Sequence, residues 1–425
     1  MRNLLIAYLS LLSKLQLLKI RPKVVALTGS VGKTSLKSIL VSILAQKYRV
    51  KSGKKSLNSE FGIPMAVFGI EASANLIKYI LSLALVPPLK LLFDWTKYDI
   101  FVLEVGVDKP GDIKYLKRVT KVNVAILLNI FPVHTLNFPT NDPLKEIFTE
   151  KNKIFESLKS MGTGFLNTGN EFIQRYLPQV TKDSRVKTFS TQPNTDFSYS
   201  YRMLEGSQIE VTAQNCTCKT SVPLFEEYSS SLAVSMLVGK HFGLSCEEIQ
   251  AGLSNFGLEP GRFSFFEGVN GSTILDSSYN SSPAALAAVL AFVKKQNYQR
   301  KILCLGEMRE LGDLSKEEHQ KLVPMIENSG DYAFLVGEDI ANFVYKDLKL
   351  PEESKKMFAN SKDLGNFLST FIQPGDLVLF KGSQNTIFLE EAIKEVLKNK
   401  SDEQKLCRQD AFWIQKKQAY FAKRP

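Results

Sequence analysis

Apolar and polar positions alternate along the chain in two blocks with the same rhythm. Val24 to Leu27 is an unbroken apolar run, followed by the small and polar "TGSVG" and then a helical period from Lys33 to Gln46. "DIFVLEVGV" (99–107) and "VNVAILLNI" (122–130) read as further buried strands, and "FTEKNKIFESLKSMG" (148–162) reads as a helix. Strands separated by helices predict a parallel sheet with functional groups at the strand C-terminal ends. Residues 185–222 break the rhythm with short β-branched pieces such as "QIEVTAQNCTCKTSV", which predict an antiparallel flap on the same domain. Two helical stretches follow, "SSSLAVSMLVGKHFG" and "SCEEIQAGLSNF". "GLEPGRF" (257–263) marks a boundary, after which "STILDSSYN", "KILCLGEM", "YAFLVGE" and "DLVLFKGS" restart the strand-then-loop pattern. The expected organisation is a leucine-rich N-terminal helix (1–22), a nucleotide-type α/β domain (23–257), a smaller Rossmann-like α/β domain (258–400) and a charged, aromatic tail (401–425).

Two apolar stretches do not fit that rhythm. "MRNLLIAYLSLLSKLQLLKIRPK" is rich in leucine but broken by Ser10, Ser13, Lys14 and Gln16, and it lacks a small-residue cleavage site. "LIKYILSLALVPPLKLLF" (76–93) is split by Pro87 and Pro88. Neither predicts a membrane span. Each is open to two readings: a helix packed on the protein's own surface, or shallow attachment to the inner leaflet of a membrane through apolar faces flanked by lysines.

Composition changes this picture little. A chain of 425 residues with 44% hydrophobic and 23% charged residues is ordinary for a globular protein of two or three domains. The formal charge of +11 favours anionic partners, and the lack of a basic motif interleaved with aromatics argues against nucleic acid. Five scattered cysteines give neither a paired zinc motif nor a disulfide framework, which suits a reducing cytoplasm. Cys216 and Cys218 share a strand face, but two ligands do not make a metal site. His241 and His319 read as structural residues on helix surfaces.

The loop after the first strand carries the chemistry. Gly32, Lys33 and Thr34 fit the end of a phosphate-binding loop, although Leu27 stands where its first glycine is expected and the other glycine is Gly29. Backbone N–H groups at a helix start, a lysine and a hydroxyl suit a nucleotide phosphate with magnesium.

Further segments turn the deviation into a pattern. "TGSVGKTS" resembles the Thr-Gly-x-x-Gly-Lys-Thr-Ser/Thr loop of the Mur ligases, the ATP-dependent enzymes that form amide bonds in peptidoglycan precursors. "LNSEFGIP" (57–64), "LEVGVDKPGDI" (103–113), "LNIFPVHTLNF" (128–138), "EKNKIFE" (150–156), "PGRF", "LDSSYNSSPAAL" (275–286), "LGEMRELG" (305–312) and "FKGSQ" (380–384) resemble that family's segments in the same order. The resemblance is strongest to the branch that adds D-alanyl-D-alanine.

The resemblance implies a γ-phosphate passed to a carboxylate, giving an acyl phosphate that an amine then attacks. It implies ATP and Mg2+ as cofactors, with Gly29, Ser30, Gly32, Lys33, Thr34, Ser35 and Asn58 around the nucleotide. Thr34, Glu104, His134 and Lys151 would serve the metal, and Lys33, Glu104, His134 and Lys151 the catalysis. Lys151 matches the family lysine that reacts with carbon dioxide to give a carbamate; Lys153 is its neighbour. Arg262, Asp276, Tyr279 and Asn280 would touch the nucleotide from the second domain, although Ser277 and Ser282 depart from the family's Asp and Asn. Lys381 and Ser383 are weaker site candidates. The family's uridine-binding N-terminal domain has no counterpart in the roughly 23 residues before the first strand. The expected partners are a peptidoglycan-precursor-like carboxylate and an amino acid or dipeptide, acted on by a cytoplasmic monomer. A ligase for another envelope polymer, and a nucleotide-binding relative without ligase activity, stay open as alternatives.

Overall fold

The computed structural model describes residues 2–53, 61–70, 76–133, 135–138, 140–179, 183–383 and 386–422. The chain divides into two compact units, Met1–Gly257 and Leu258–Pro425.

The first unit is built on strands β1 (Lys23–Thr28), β2 (Val50–Ser52), β3 (Ile100–Glu104), β4 (Val122–Leu127), β5 (Leu158–Asn167), β6 (Val186–Ser190), β7 (Phe197–Met203), β8 (Ile209–Ala213) and β9 (Cys216–Lys219). Their order in one sheet is β2-β3-β1-β4-β5-β6-β7-β8-β9. Pairing is parallel from β2 through β7 and antiparallel from β7 to β9. The expected antiparallel flap is therefore an extension of the main sheet, joined through the parallel strands β6 and β7. The helices are α1 (Arg2–Ile20), α2 (Lys33–Leu44), α3 (Gly62–Phe68), α4 (Leu76–Phe93), α5 (Ile113–Val119), α6 (Pro143–Asn152), α7 (Glu171–Tyr176), α8 (Tyr228–His241) and α9 (Cys246–Asn255).

Residues of β1 and β3 are buried in nearly continuous apolar runs, as a parallel strand covered on both faces requires. One core cluster joins Val24, Ala26, Phe101 and Leu103 of the sheet to Leu9 and Leu17 of α1 and to Phe68 and Leu116. Two expectations about elements are corrected. The helix expected over 148–162 ends earlier: α6 passes into a tight 3-10 turn at Lys153–Ser157, and Leu158 already begins β5. The stretch 76–93 is one helix running through Pro87 and Pro88. Pro88 lacks the N–H that would bond the carbonyl of Ala84 four residues back, and the Tyr8 hydroxyl of α1 donates to that carbonyl at 2.9 Å instead.

A third correction concerns the cysteines. The turn between α8 and α9 brings Cys246, the first residue of α9, against β9, where it forms a disulfide with Cys216, 30 positions away. The Cys218 sulfur lies 3.6 Å from that of Cys216. Scattered spacing in sequence hid the pair, and the compartment argument built on unpaired cysteines loses its footing.

In the second unit, strands β10 (Ser264–Glu267), β11 (Thr273–Asp276), β12 (Arg300–Gly306), β13 (Tyr332–Val336), β14 (Lys355–Phe358) and β15 (Asp376–Lys381) order as β10-β11-β15-β12-β13-β14. All pairs but β10–β11 are parallel. The C-terminal segment docks on this unit. Arg408 is buried in a two-bond ion pair with Glu390, and the helix Ala411–Phe421 sets Tyr420 edge-on to Phe388.

Candidate active site

Strand order reverses at β1, which is flanked by β3 on one side and β4 on the other. Leu27 is level with Glu104 and with Ile126, so three strand ends open onto the same edge. Such a point is where parallel sheets bind ligands.

The loop from Gly29 to Gly32 leads into α2. Gly32 takes φ +77°, a left-handed conformation that a side chain would strain, and among the described residues no side chain caps the helix start. The first amides of α2 therefore point outward with the helix dipole behind them, which suits an anion. Two amides of the preceding loop are engaged: Ser30 and Val31 both donate to the Asn129 side-chain oxygen at 3.0 Å, and Asn129 donates back to the Val31 carbonyl. The Ser30 hydroxyl bonds the Phe131 backbone from both directions. Lys33 lies over the loop with its ammonium donating to the carbonyls of Gly29 and Ser30 at 2.9 and 3.0 Å.

Behind the loop, the Thr34 hydroxyl donates to Glu104 Oε1 at 3.1 Å, and Lys37 places its ammonium 3.5 Å from Oε2. All three residues are buried. A hydroxyl beside a carboxylate supplies the hard oxygen donors that magnesium takes, so the residues fit that ion. The Ser35 hydroxyl meets the Tyr228 hydroxyl at 3.3 Å.

Lys151 reaches this edge from α6. It is 1% exposed, and its Nζ lies 3.2 Å from the Gly29 carbonyl and 3.5 Å from that of Val107. Burial, and then the nearby charge of Lys33, push its ammonium well below the usual lysine range. Lys153, by contrast, faces outward and pairs with Glu150 at 2.6 Å. Asp112 closes the loop after β3 by accepting the amides of Asp108 and Lys109, and Glu150 accepts that of Ile113.

Gly29, Ser30, Gly32, Lys33, Thr34, Ser35, Glu104 and Lys151 thus share one strand edge. Asn58 and His134 lie outside the described residues. Asn129, Lys37 and Tyr228 belong to the same edge and escaped the sequence reading. Asn129 stands inside the quoted "LNIFPVH" and had a signal there; the other two had none.

The second unit has its own cluster. Asp276 ends β11 fully buried; one oxygen accepts the Ser278 amide at 2.9 Å and the other has no hydrogen-bond partner among the described residues. Burial pushes its carboxyl up to about 6. Lys381 donates to the carbonyls of Ser277 and Asn280, and burial, then Arg262, bring it down to about 7. The Arg262 guanidinium stacks 4.2 Å from the centre of the Tyr279 ring. Arg408, which sequence reading left in the tail, holds the carbonyls of Ser278 and Tyr279. Ser383 bonds the Ser281 carbonyl. A cavity of about 350 Å³ is lined by Glu307, Arg309, Glu310, Glu338 and Asp339 among others. His319 is wholly buried beside it, accepting the Met308 amide at 3.0 Å. It is structural, as expected, but in the interior.

Comparison with known proteins follows this division. Residues 27–242 match the family described as the Mur ligase middle domain, and residues 261–384 the Mur ligase glutamate ligase domain. The UDP-N-acetylmuramoyl-tripeptide–D-alanyl-D-alanine ligase of Bacillus subtilis is 26% identical over 396 residues, covering 91% of this chain and 79% of the relative. That of Rickettsia prowazekii is 28% identical over 374 residues, covering 86% and 76%. Among solved structures, MurF ligase from Thermotoga maritima in complex with ADP superposes with a TM-score of 0.74 at 24% identity, over 94% of this chain and 84% of that one.

Proposed function

Because the chain belongs to the Mur ligase family, we propose that it is an ATP-dependent carboxylate–amine ligase that adds a dipeptide such as D-alanyl-D-alanine to a peptidoglycan-precursor peptide. The observation that carries the reading is the gathering of Lys33, Thr34, Glu104 and Lys151 at one strand edge beside an uncapped helix start.

The reaction has two steps. A substrate carboxylate oxygen attacks the γ-phosphorus and ADP leaves; the amine nitrogen then attacks the acyl carbon, and inorganic phosphate leaves. Both steps depend on charge neutralisation and in-line positioning. The amides at the start of α2 receive phosphate oxygens, and Lys33 exchanges its loop carbonyls for the β- and γ-phosphates. Thr34 and Glu104 would hold Mg2+, which supplies positive charge to the transferring oxygens. Lys151 is suited to addition of carbon dioxide because burial favours its neutral amine: nitrogen bonds the carbon, a proton is lost, and a carboxylate results. His134 and Asn58 keep the metal and nucleotide roles that the resemblance implies. In the second unit, Arg262, Asp276, Tyr279 and Asn280 are the proposed nucleotide contacts. The cavity lined by acids and Arg309 matches a zwitterionic dipeptide, carboxylates for its ammonium and the guanidinium for its carboxylate.

On this reading the enzyme works in the cytoplasm as a monomer, with contact to the inner face of the membrane through residues 1–22 and 76–93. ADP release measured over a panel of carboxylates and amines, with mass spectrometry of the product, tests the ligase reading. Amine-dependent ADP release with a new amide is expected; ATP binding without turnover on any pair would leave a nucleotide-binding protein instead.

A further inference from the structure

α1 is inside out. Its polar residues Ser10, Ser13 and Gln16 face the protein and are 6%, 0% and 2% exposed. Its leucines Leu4, Leu11, Leu15 and Leu18 face outward at 76%, 56%, 41% and 58%. A helix on the surface of a protein in water ordinarily turns its polar residues outward and leaves no second apolar face. The buried Ser13 hydroxyl folds back onto the Leu9 carbonyl.

α4 extends the same surface. Leu85, Leu89 and Leu92 are more than half exposed, and Phe93 and Trp95 reach 74% and 71%. Tyr8 bonds the Ala84 carbonyl, and Lys19 bonds those of Leu91 and Asp94, so the two helices run side by side in the same direction. Their outward rows form one face about 28 Å long. Its exposed apolar area is on the order of 1,000 Å², beyond the few hundred that a monomer in water ordinarily leaves contiguous. Among the described residues, only Met161, Met203, Met325 and Ile414 are large hydrophobics exposed elsewhere.

Charge selects the occupant. Neither helix contains an aspartate or glutamate, whereas Arg2, Lys14, Lys19, Lys78 and Lys90 lie in them. Lys19 sits 3.8 Å over the Trp95 ring at the rim, an aromatic–cation pair of the kind that lodges among lipid headgroups. No described helix is long and apolar enough to cross a membrane, and the inner faces of both helices are fixed in the protein core through Leu9, Leu17 and Leu83.

We propose that the α1–α4 face lies in the headgroup–acyl boundary of an anionic lipid bilayer, with its leucines in the lipid and its lysines on the phosphates. Only Arg21 and Pro22 separate α1 from β1, so α1 folds back antiparallel to that strand and its N-terminal end lies toward the edge that carries Gly29 to Thr34. The reacting edge therefore sits at one end of the lipid-bound face. For its purpose the inference rests on the ligase reading: the carboxylate substrate would be one carried at the membrane surface.

Sedimentation of the full chain with vesicles tests the docking. Vesicles of phosphatidylcholine with about one-third phosphatidylglycerol should carry the protein down, phosphatidylcholine alone should do so more weakly, and salt should weaken the first. Leu11→Gln with Leu15→Gln and Leu89→Gln, all at exposed positions, should weaken partitioning about tenfold or more while leaving ATP binding and circular dichroism unchanged. Equal recovery in the supernatant with both vesicles would overturn the proposal. So would a concentration-dependent dimer abolished by the same substitutions, which would assign the face to a second copy. ADP release is read in parallel: a protein that binds vesicles but joins no amide removes the ligase reading and leaves the docking standing.

Discussion

At the scale of single side chains, burial fixes which protonation state each group can hold. Lys151 is enclosed by the carbonyls of Gly29 and Val107, and its neutral amine is what carbamate formation needs. Lys151→Ala should lower kcat about a hundredfold or more, with partial recovery on adding a small carboxylate such as acetate, read by ADP release. Asp276 gives a stability signature. Its folded pKa of about 6 lies above the ordinary 3.8, so between those values the native state holds more protons than the unfolded one. Stability then falls as pH rises through that window, by up to about 3 kcal/mol. Asp276→Asn should flatten that slope, read by denaturant midpoints across a pH series. Lys33 and Thr34 were legible because a phosphate loop is a local pattern. Asn129 braces that loop from about a hundred residues away and had only its place in "LNIFPVH" to signal it, whereas nothing local announces Tyr228, whose hydroxyl meets that of Ser35.

Among the elements, α1 and α4 show how one hydroxyl offsets a broken backbone ladder. The double proline reads as a break because each proline removes a donor; the helix persists because Tyr8 supplies one from α1. Tyr8→Phe should cost about 1 kcal/mol of unfolding free energy, measured by chemical denaturation. The strands β1, β3 and β4 were readable as apolar runs, and the parallel α/β class follows from their spacing. β5 was read as helix because its first residues, "LKSMG", are mostly exposed and lack a strand's alternation. The Cys216–Cys246 bridge closes a loop whose ends are 30 positions apart, worth about 3–4 kcal/mol in the chain-entropy account. Cys246→Ser should lower the unfolding midpoint without reductant, and dithiothreitol should lower the wild-type midpoint by a similar amount.

For the whole molecule, each unit has its own sheet and its own buried cluster. Residues 256–259 between them are irregular, and Gly257 and Pro260 are exposed. Limited proteolysis should cut there first and yield two fragments that each keep a cooperative unfolding transition; a single transition lost at the first cut would contradict this. Gly and Pro make that irregular stretch legible in the sequence. The docking of the last residues was not, since the Arg408–Glu390 pair joins residues whose charges look ordinary in sequence.

The disulfide has a further consequence for chain topology. Cys216 and Cys246 bracket the segment 220–227, which contains no strand or regular helix, and the whole of α8. A backbone cut in that bracket opens the chain without dividing it. The two pieces stay one covalent molecule, and the nick is invisible on a denaturing gel until a thiol is added.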